Sequence, residues 1–527
     1  MSAGPLPRPA RRPARRWISR RTVRAAWDLH SATGVALGLV LVVFFWGGAV
    51  ALYADGLRQW ERPAERVAYD GPLVDVDARL ATVLGGADTG GAVRVSLPTP
   101  ERPALGVAWA DSSVQVHPAT GAVLAPQESY VGQLLVELHA LAWLPHDVGL
   151  ALAGWAGLVA VVTALTGLTV HVRTARAGAL LRVQVSRRGR AAWASVHRVV
   201  GTLSLPFALV VATTGAVIGV GHVYYLAVTP VALGGDPEGY IGDLGVPRPA
   251  AAPPEPSGPV RVDAALAAAR AAWPAADAEE VVVEGDGPGA LVTVRVRDRA
   301  ALTGGAGDVG LGLLAVRAGT GAVVARVDPS RPATAGAAVW QGTLGLHYGT
   351  FGGALLKALY AALALAVAAT AATGNALWLS ARLRRHPERA AHYERLGRLS
   401  VGAAAGLVPA TAALLVANKA VPMDLAGRAA WEGAAFYGAW ATSVGAALAS
   451  STARRAARTL AVAGGALALA VPVLNGAVTG DWAWRTLAEG PAPVFWVDAV
   501  ALAAGLALVG GGLRPRPRSG RARGAWR

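Results

Sequence analysis

The sequence contains no cysteine among its 527 residues. Thiolate-bound iron–sulfur clusters, covalent C-x-x-C-H haem attachment and disulfide bonds are therefore all excluded. Any metal must be held by histidine, by carboxylates or by a cofactor that is not covalently attached. Only ten histidines are present, so the candidate nitrogen ligands can be considered one by one.

Charged residues are also scarce. They make up 16% of the chain, against 54% hydrophobic residues and a mean hydropathy of +0.41. A soluble domain carries about 25% charged residues, so this deficit indicates a membrane protein. The net charge of +16 arises from short basic clusters between apolar runs, which favours membrane topology over nucleic-acid binding. We expect a lipid bilayer as partner and no nucleic acid.

Eight apolar runs are long enough to cross about 30 Å of hydrocarbon. They lie near residues 31–53, 147–171, 199–220, 351–380, 399–417, 433–450, 459–477 and 493–513. If they alternate, five Arg-rich segments fall on one side, which the positive-inside rule makes cytoplasmic together with both termini. The two long polar segments then lie outside. The first run also resembles a signal peptide, but its length favours an uncleaved anchor.

The two outward segments share a small pattern. VQVHPATGAVLA at 114–125 and LAVRAGTGAVVAR at 314–326 each predict a β-hairpin with a T-G turn. The stretches VDVDARLATVL and VRVDAALAAARAAW upstream each predict a short helix. These patterns alone are compatible with two similar small α/β domains or with two unrelated hairpins.

The flanking residues favour an internal duplication. An H-x-x-x-G motif opens the first and third runs, and an L-H motif precedes the second and fourth. The matching residues are His30 with Gly34, His197 with Gly201, and then His139 and His347. Each copy holds two spans and one outer segment. Because both copies share one orientation, a pseudo-two-fold axis should run along the membrane normal.

A four-helix bundle around this axis would make each histidine pair face across its centre. We expect His30 and His197 to ligate a haem b at the cytoplasmic end, and His139 and His347 a second at the outer end. Glycine one turn after each inner histidine would leave room for the flat macrocycle. If the two histidine pairs lie at the two membrane–water interfaces, however, they would be separated by most of the thickness of the bilayer.

Other histidines are weaker candidates. His171 and His222, which lie at the opposite ends of the second and third runs and are not repeated, are the second choice as ligands. His146 follows His139 by two helical turns and would line an outer pocket if that helix continues. The histidines at 117, 386 and 392 are expected to be ordinary surface residues.

Several of these motifs together resemble the PepSY-associated transmembrane family. They are L-H-x-x-x-G at 29–34, TTGAVIGV at 213–220, L-H-x-G before the fourth run, TGNALWLSARLRR at 373–385 and the T-G-A-V hairpins. The resemblance covers about residues 25–385. It implies an inner-membrane di-haem reductase of ferric siderophores in bacterial iron acquisition, with an extracytoplasmic ferric chelate as substrate. It also implies the same two histidine pairs as haem ligands.

The electron donor and two other functions stay open. No G-x-G-x-x-G follows a predicted strand and opens a helix, so the donor is expected to be a quinol or a separate cytoplasmic reductase. The spans after residue 399 contain no histidine and would serve packing or a quinol-type site. A haem-free siderophore or iron transporter is disfavoured by the scarcity of ionisable groups within the spans. A membrane-anchored binding or regulatory module would leave the four histidines unused.

The sequence thus predicts an all-α polytopic membrane protein of about eight transmembrane helices, with a duplicated four-helix haem-binding core and two small α/β PepSY-like extracytoplasmic domains. The expected segments are a basic cytoplasmic N-terminus at 1–27, TM1 at 28–54, PepSY-like domain 1 at 55–135, TM2 at 136–172, a cytoplasmic loop at 173–195, TM3 at 196–226, PepSY-like domain 2 at 227–340, TM4 at 341–381, a cytoplasmic loop at 382–398, a C-terminal four-TM region at 399–513 and a basic cytoplasmic tail at 514–527.

Overall fold

The computed structural model describes residues 18–67, 75–85, 88–89, 91–174, 190–232, 261–285, 289–302, 312–332 and 334–514. Several predicted segments lie partly outside these residues. They are the basic N-terminus up to residue 17, most of the loop at 173–195, the first part of the second outer segment and the tail from residue 515.

We number the helices and strands of the described chain in order. The α-helices are α1 (Arg20–Ala51), α2 (Ala54–Glu61), α3 (Val76–Leu84), α4 (Val131–Ala140), α5 (His146–Thr174), α6 (Arg190–Ala232), α7 (Val262–Ala272), α8 (Ala335–Tyr348), α9 (Gly353–Arg385), α10 (Ala390–Ala405), α11 (Leu407–Ala420), α12 (Arg428–Ala449), α13 (Ala453–Thr479), α14 (Ala483–Ala488) and α15 (Ala492–Leu513). The strands are β1 (Ala92–Ser96), β2 (Leu105–Trp109), β3 (Ser112–Val116), β4 (Asp277–Glu284), β5 (Leu291–Arg297), β6 (Gly312–Arg317) and β7 (Val323–Val327).

Seven helical segments of the described chain are long and apolar enough to cross a membrane. They are α1, α5, most of α6, α9, the segment that contains α10 and α11, α13 and α15. The sixth predicted run forms α12, whose 22 residues are long enough at about 1.5 Å each. α12 is not among these seven helical segments because Arg428, Glu432 and its tryptophan and tyrosine residues lower its mean hydropathy. The prediction of eight apolar spans therefore exceeds the structure by this one helix.

Four of these helices form a closed ring. α1 packs against α5 and α9, and α6 packs against the same two helices. The crossing of α5 and α6 requires glycine, since a Cβ on Gly154 would lie 2.7 Å from the backbone of Gly219. The outer segments leave from α1 and α6 and return to α5 and α9, so we call this end of the ring the sheet end. A ring of these four helices agrees with the duplication.

The strands of both outer segments form one sheet. Its seven strands are antiparallel in the order β3-β2-β1-β4-β5-β6-β7, and β1 pairs with β4 so that Arg94 lies opposite Val282. The two predicted α/β units are thus joined edge to edge, which satisfies the backbone groups that each first strand would otherwise leave unpaired. The second T-G hairpin has two full strands. The first has only an isolated bridge between Val116 and Val123 after β3.

The two short predicted helices, α3 and α7, cap each other. The Asp263 carboxylate accepts hydrogen bonds from the backbone N–H groups of Val76 and Asp77 at 3.1 and 3.0 Å. The Asp77 carboxylate accepts from those of Val262 and Asp263 at 2.7 and 3.2 Å. Each copy therefore satisfies the first amide groups of the other copy's helix. Burial raises the pKa of the Asp77 carboxyl, although these hydrogen bonds act in the opposite direction.

The helical conformation is interrupted between α4 and α5. Leu141 follows Ala140 with a left-handed φ of 54° and ends α4, and α5 begins only at His146. The helix that carries His139 therefore does not extend to His146, so the condition for His146 to share the helical face of His139 is not met. A left-handed residue turns the backbone out of the helix and cannot lie inside it.

The C-terminal helices pack beside the ring. α10 contacts α1 and α9, α11 contacts α4, and α15 contacts α2. Leu134 of α4, Leu407 of α11 and Phe436 of α12 are fully buried in one shared apolar cluster. The C-terminal region therefore packs against both the spanning helices and the short helices at the sheet end.

Candidate functional site

His30 of α1 and His197 of α6 face each other inside the ring, far from the sheet end. Their ring centroids lie 6.3 Å apart, with 65° between the ring planes. His30 Nδ1 lies 2.9 Å from the carbonyl oxygen of Thr163 on α5, and His197 Nδ1 lies 2.9 Å from that of Thr370 on α9. We call these two histidines the inner pair. Each imidazole connects two helices of the ring.

His139 of α4 and His347 of α8 face each other at the sheet end. Their ring centroids lie 6.0 Å apart, with 30° between the planes. His139 Nδ1 lies 2.9 Å from the carbonyl oxygen of Phe44 on α1, and His347 Nδ1 lies 3.0 Å from the hydroxyl of Thr214 on α6. We call these two histidines the outer pair. The structure thus brings together both predicted pairs of side chains.

The hydrogen-bond partners determine which ring nitrogen carries the proton. A backbone carbonyl can only accept, so three of the four histidines must donate through Nδ1. The Thr214 hydroxyl donates to the Val210 carbonyl at 2.8 Å, so it accepts from His347 Nδ1. In the neutral form, each of the four imidazoles therefore has its lone pair on Nε2. This is the tautomer that binds a metal while its other nitrogen is held by a fixed partner.

The separation of the two pairs along the spans follows from their contacts with α1. Phe44, whose carbonyl accepts from His139, follows His30 by 14 residues on the same helix. At about 1.5 Å per residue this is about 21 Å along α1. The hydrocarbon core of a bilayer is about 30 Å thick. Both pairs are therefore held within one bilayer thickness.

A glycine of a neighbouring helix lies beside each of the four rings. A Cβ on Gly167 would lie 3.0 Å from His30 Cε1, on Gly374 3.1 Å from His197 Cε1, on Gly48 2.9 Å from His139 Cε1, and on Gly215 3.0 Å from His347 Cε1. Any larger residue would press on the imidazole and displace it. Three of these glycines occur in T-G dipeptides within the spans, and that repeated dipeptide is the sequence signal for them.

The two glycines predicted to make room for a macrocycle have different neighbours. A Cβ on Gly34 would lie 3.9 Å from Thr163 Cγ2, and one on Gly201 would lie 3.1 Å from Thr370 Cγ2. These are the threonines whose carbonyls hold the inner pair. Gly34 and Gly201 therefore lie at helix contacts next to the inner pair, and the glycines that touch the rings are a different set.

The second-choice ligands lie outside the two pairs. His171 Nε2 lies 3.2 Å from the hydroxyl of Thr202 on α6. His222 Nε2 lies 2.7 Å from Asp147 Oδ1, and the His222 ring lies 5.5 Å from the ring of His146. The three residues at 146, 147 and 222 form the one group of three or more potential ligand side chains in the part of the chain that the structure describes.

The structure also contains a buried polar cluster that sequence reasoning missed. Glu432 and Arg428 of α12 form an ion pair at 3.1 Å, and both side chains are 0% exposed. Glu432 also accepts from the amide of Asn418 at 2.8 Å and from the backbone N–H of Tyr130 at 2.6 Å. The cluster therefore attaches the segment before α4 to the C-terminal helices.

A second set of buried contacts attaches α2 to the same region. The Trp60 indole donates to Asp498 Oδ1 at 2.9 Å, and Asn475 donates to Asp498 Oδ2 at 2.8 Å. Lys419 Nζ lies 3.9 Å from the centre of the Trp60 ring. α11, α13 and α15 thus jointly hold the short helix that follows α1.

These features define a polytopic membrane protein with a duplicated four-helix core, two opposed histidine pairs and an antiparallel sheet at one end. The family model of the PepSY-associated TM region matches residues 27–381, which span the core and the sheet. The chain therefore belongs to the PepSY-associated transmembrane family, and the resemblance inferred from its motifs is confirmed. A comparison with curated proteins finds no match.

The residues present fit a bis-imidazole haem. An imidazole nitrogen binds a metal at about 2 Å, so two imidazoles on opposite sides of one metal hold their centroids about 6 Å apart. The observed separations are 6.3 and 6.0 Å. Each pair offers two nitrogen ligands, whereas a structural zinc ion takes about four protein ligands. A haem b would take two imidazole ligands from the protein, which is the number that each pair provides.

Proposed function

We propose that the protein is a membrane-bound di-haem b oxidoreductase that carries electrons across the cytoplasmic membrane of a bacterium to an extracytoplasmic ferric chelate. In this proposal it acts as a ferric-siderophore reductase in iron acquisition. The observation that carries the proposal is the geometry of the inner and outer pairs. In each pair two imidazoles face each other with ring centroids 6.3 or 6.0 Å apart, a separation suited to one metal between them, and the pairs lie about 21 Å apart along α1.

His30 and His197 would hold one haem b, and His139 and His347 the other. A bound haem would accept and release one electron at a time at its iron. The hydrogen bonds from Nδ1 fix the orientation of each ring and increase the basicity of Nε2. The ring-side glycines allow the neighbouring helices to pack directly against the imidazoles, which limits the movement of the ligands.

The outer pair lies at the sheet end, which this proposal places outside the cytoplasm. There, one electron converts Fe(III) in the chelate to Fe(II), which binds hard oxygen ligands less strongly. A quinol that gives up two electrons and two protons would reduce two ferric ions. A separate cytoplasmic reductase is the other donor class. The Arg-rich segments at the opposite end of the spans support a cytoplasmic location for that end.

Spectroscopy of the protein purified from haem-replete bacteria tests this proposal. We expect a red protein with the reducible Soret and α bands of bis-histidine haem b, and two haems per chain. After reduction, it should lose its electrons to a ferric hydroxamate chelate, with Fe(II) trapped by a coloured chelator. His117→Ala, in the first T-G hairpin of the sheet, is the matched histidine control and should change neither result. Colourless protein would contradict the proposal and favour the transporter or binding-module alternatives.

A further inference from the structure

A third group of potential ligands lies at the sheet end, outside the inner and outer pairs. His146 and Asp147 begin α5, and His222 lies in the last part of α6. One ligand atom from each of the three residues lies within 4.8 Å of the others. The rings of His146 and His222 are 5.5 Å apart and nearly perpendicular, at 88°. Two imidazoles and one carboxylate thus converge on one point between two helices.

We propose that His146, Asp147 and His222 bind one divalent transition-metal ion of the class of Fe²⁺ and Zn²⁺. Two imidazoles and a carboxylate are a ligand set that both ions accept, with the remaining positions open to water or another ligand. Ligand atoms that each lie about 2.1 Å from one ion are about 3 to 3.5 Å from each other. The three ligand atoms lie within 4.8 Å of one another, so they need to approach each other by no more than about 1 to 2 Å to reach that spacing.

An ordinary ion pair does not explain the group. The contact between His222 and Asp147 involves a carboxylate side chain that is 56% exposed, and an exposed ion pair contributes little to stability. It also does not require the second imidazole. At the beginning of α5 the helix dipole opposes a cation. The carboxylate of Asp147 offsets both this dipole and part of the charge of the ion.

The position of the group relates it to the outer pair. His222 follows Gly215, which touches His347, by seven residues on α6. This spacing corresponds to about 10 Å along the helix and keeps both residues on one face. α9 begins with Gly353 and Ala354 where α5 begins with histidine and aspartate, so the site belongs to one copy of the duplication. If the proposed function holds, Fe²⁺ from a reduced chelate meets this site beside the outer pair.

Zinc binding to the full-length protein tests the site independently of haem. The protein is purified in detergent with a tag that contains no histidine, and Zn²⁺ is measured by equilibrium dialysis and elemental analysis, so haem iron does not interfere. We expect one Zn²⁺ per chain in the wild type. Asp147→Asn and His222→Gln should each weaken binding by about tenfold or more. His171→Gln, at the other end of α5, is the matched control and should bind as the wild type does.

Two results would overturn the site. One is wild-type protein that takes up no zinc at micromolar concentration. The other is zinc binding that is equal in the wild type, Asp147→Asn and His222→Gln. Gel filtration and circular dichroism of each variant show whether it is folded. A protein without haem that still binds zinc in the expected pattern would contradict the proposed function and leave this site intact.

Discussion

His139 and His347 face each other with their ring centroids 6.0 Å apart, although they belong to two different copies of the duplicated unit. The short helices α4 and α8 carry them, and their Nδ1 atoms reach Phe44 and Thr214 near the ends of α1 and α6. A two-fold relation places equivalent residues opposite each other. For this reason one histidine per motif is sufficient to make a pair of opposed imidazoles.

The contact between Gly215 and His347 gives a specific prediction for the outer pair. Gly215→Ala puts a Cβ 3.0 Å from His347 Cε1, so the imidazole must move, and under the proposed function its bond to the haem iron would be strained. We expect the variant to lose one haem per chain or to shift the reduction potential of one haem, with the other unchanged. Haem content and a redox titration measure both effects.

Gly438→Ala is the control for that change. A Cβ on Gly438, in α12, would meet no atom within 4 Å, so this variant tests the effect of alanine in a membrane-region helix alone. It should match the wild type. Equal haem content and equal potentials in Gly215→Ala and Gly438→Ala would show that the ring-side glycine has no role at the outer pair.

The Arg428–Glu432 pair predicts a large loss of stability. Both side chains are 0% exposed, so Glu432→Ala leaves a buried guanidinium without its charge partner. Such a loss typically lowers the free energy of unfolding by about 3 to 5 kcal/mol. Thermal unfolding in detergent, followed by tryptophan fluorescence, measures the change.

An exposed pair of the same spacing is the matched control for this variant. Arg485 and Glu489 are also four residues apart, but their side chains are 64% and 70% exposed. Glu489→Ala should therefore change the unfolding temperature very little. If both glutamate variants unfold at the same temperature, the buried cluster does not hold the C-terminal helices to the core.

The reciprocal capping of α3 and α7 predicts a pH dependence. Because burial raises the pKa of Asp77, the folded state takes up a proton at higher pH than the unfolded chain, whose aspartate pKa is about 3.9. The contribution of Asp77 to stability is complete below the unfolded value and is lost as pH rises through the folded one. We therefore expect the wild type to gain stability relative to Asp77→Asn as pH falls from neutral.

Thermal unfolding of both proteins over a pH series measures this difference. Asp111→Asn, which changes an exposed turn between β2 and β3, controls for the loss of one carboxylate and should follow the wild type. A wild-type curve that stays parallel to that of Asp77→Asn at every pH would contradict the prediction.

The histidine pairing could be predicted from the sequence because the duplication repeats each motif. A single interfacial histidine such as His30 carries little information, but its partner His197 stands in the same order of elements. The same repetition revealed the short helices α3 and α7. In each case the motif is local, and the comparison of the two copies indicates which distant residues occupy equivalent positions.

The remaining features depend on contacts between distant segments. Gly34 follows His30 by one turn, so the sequence predicts that Gly34 leaves space beside the His30 ring. In the structure, Gly167 of α5 lies beside that ring instead. The packing of α1 on α5 decides which glycine contacts the imidazole. The pairing of β1 with β4 and the burial of Glu432 against Tyr130 likewise join residues far apart in the chain. The spacing of apolar residues within one segment cannot predict such contacts.

The haem content of histidine variants tests the central claim most directly. We expect His30→Ala and His197→Ala to lose the same haem, His139→Ala and His347→Ala to lose the other, and the double variant of the inner pair to lose no more than either single variant. Optical spectra and haem quantification of the purified proteins distinguish these cases. A shared loss in His30→Ala and His139→Ala, with the second haem retained in both, would contradict the pairing.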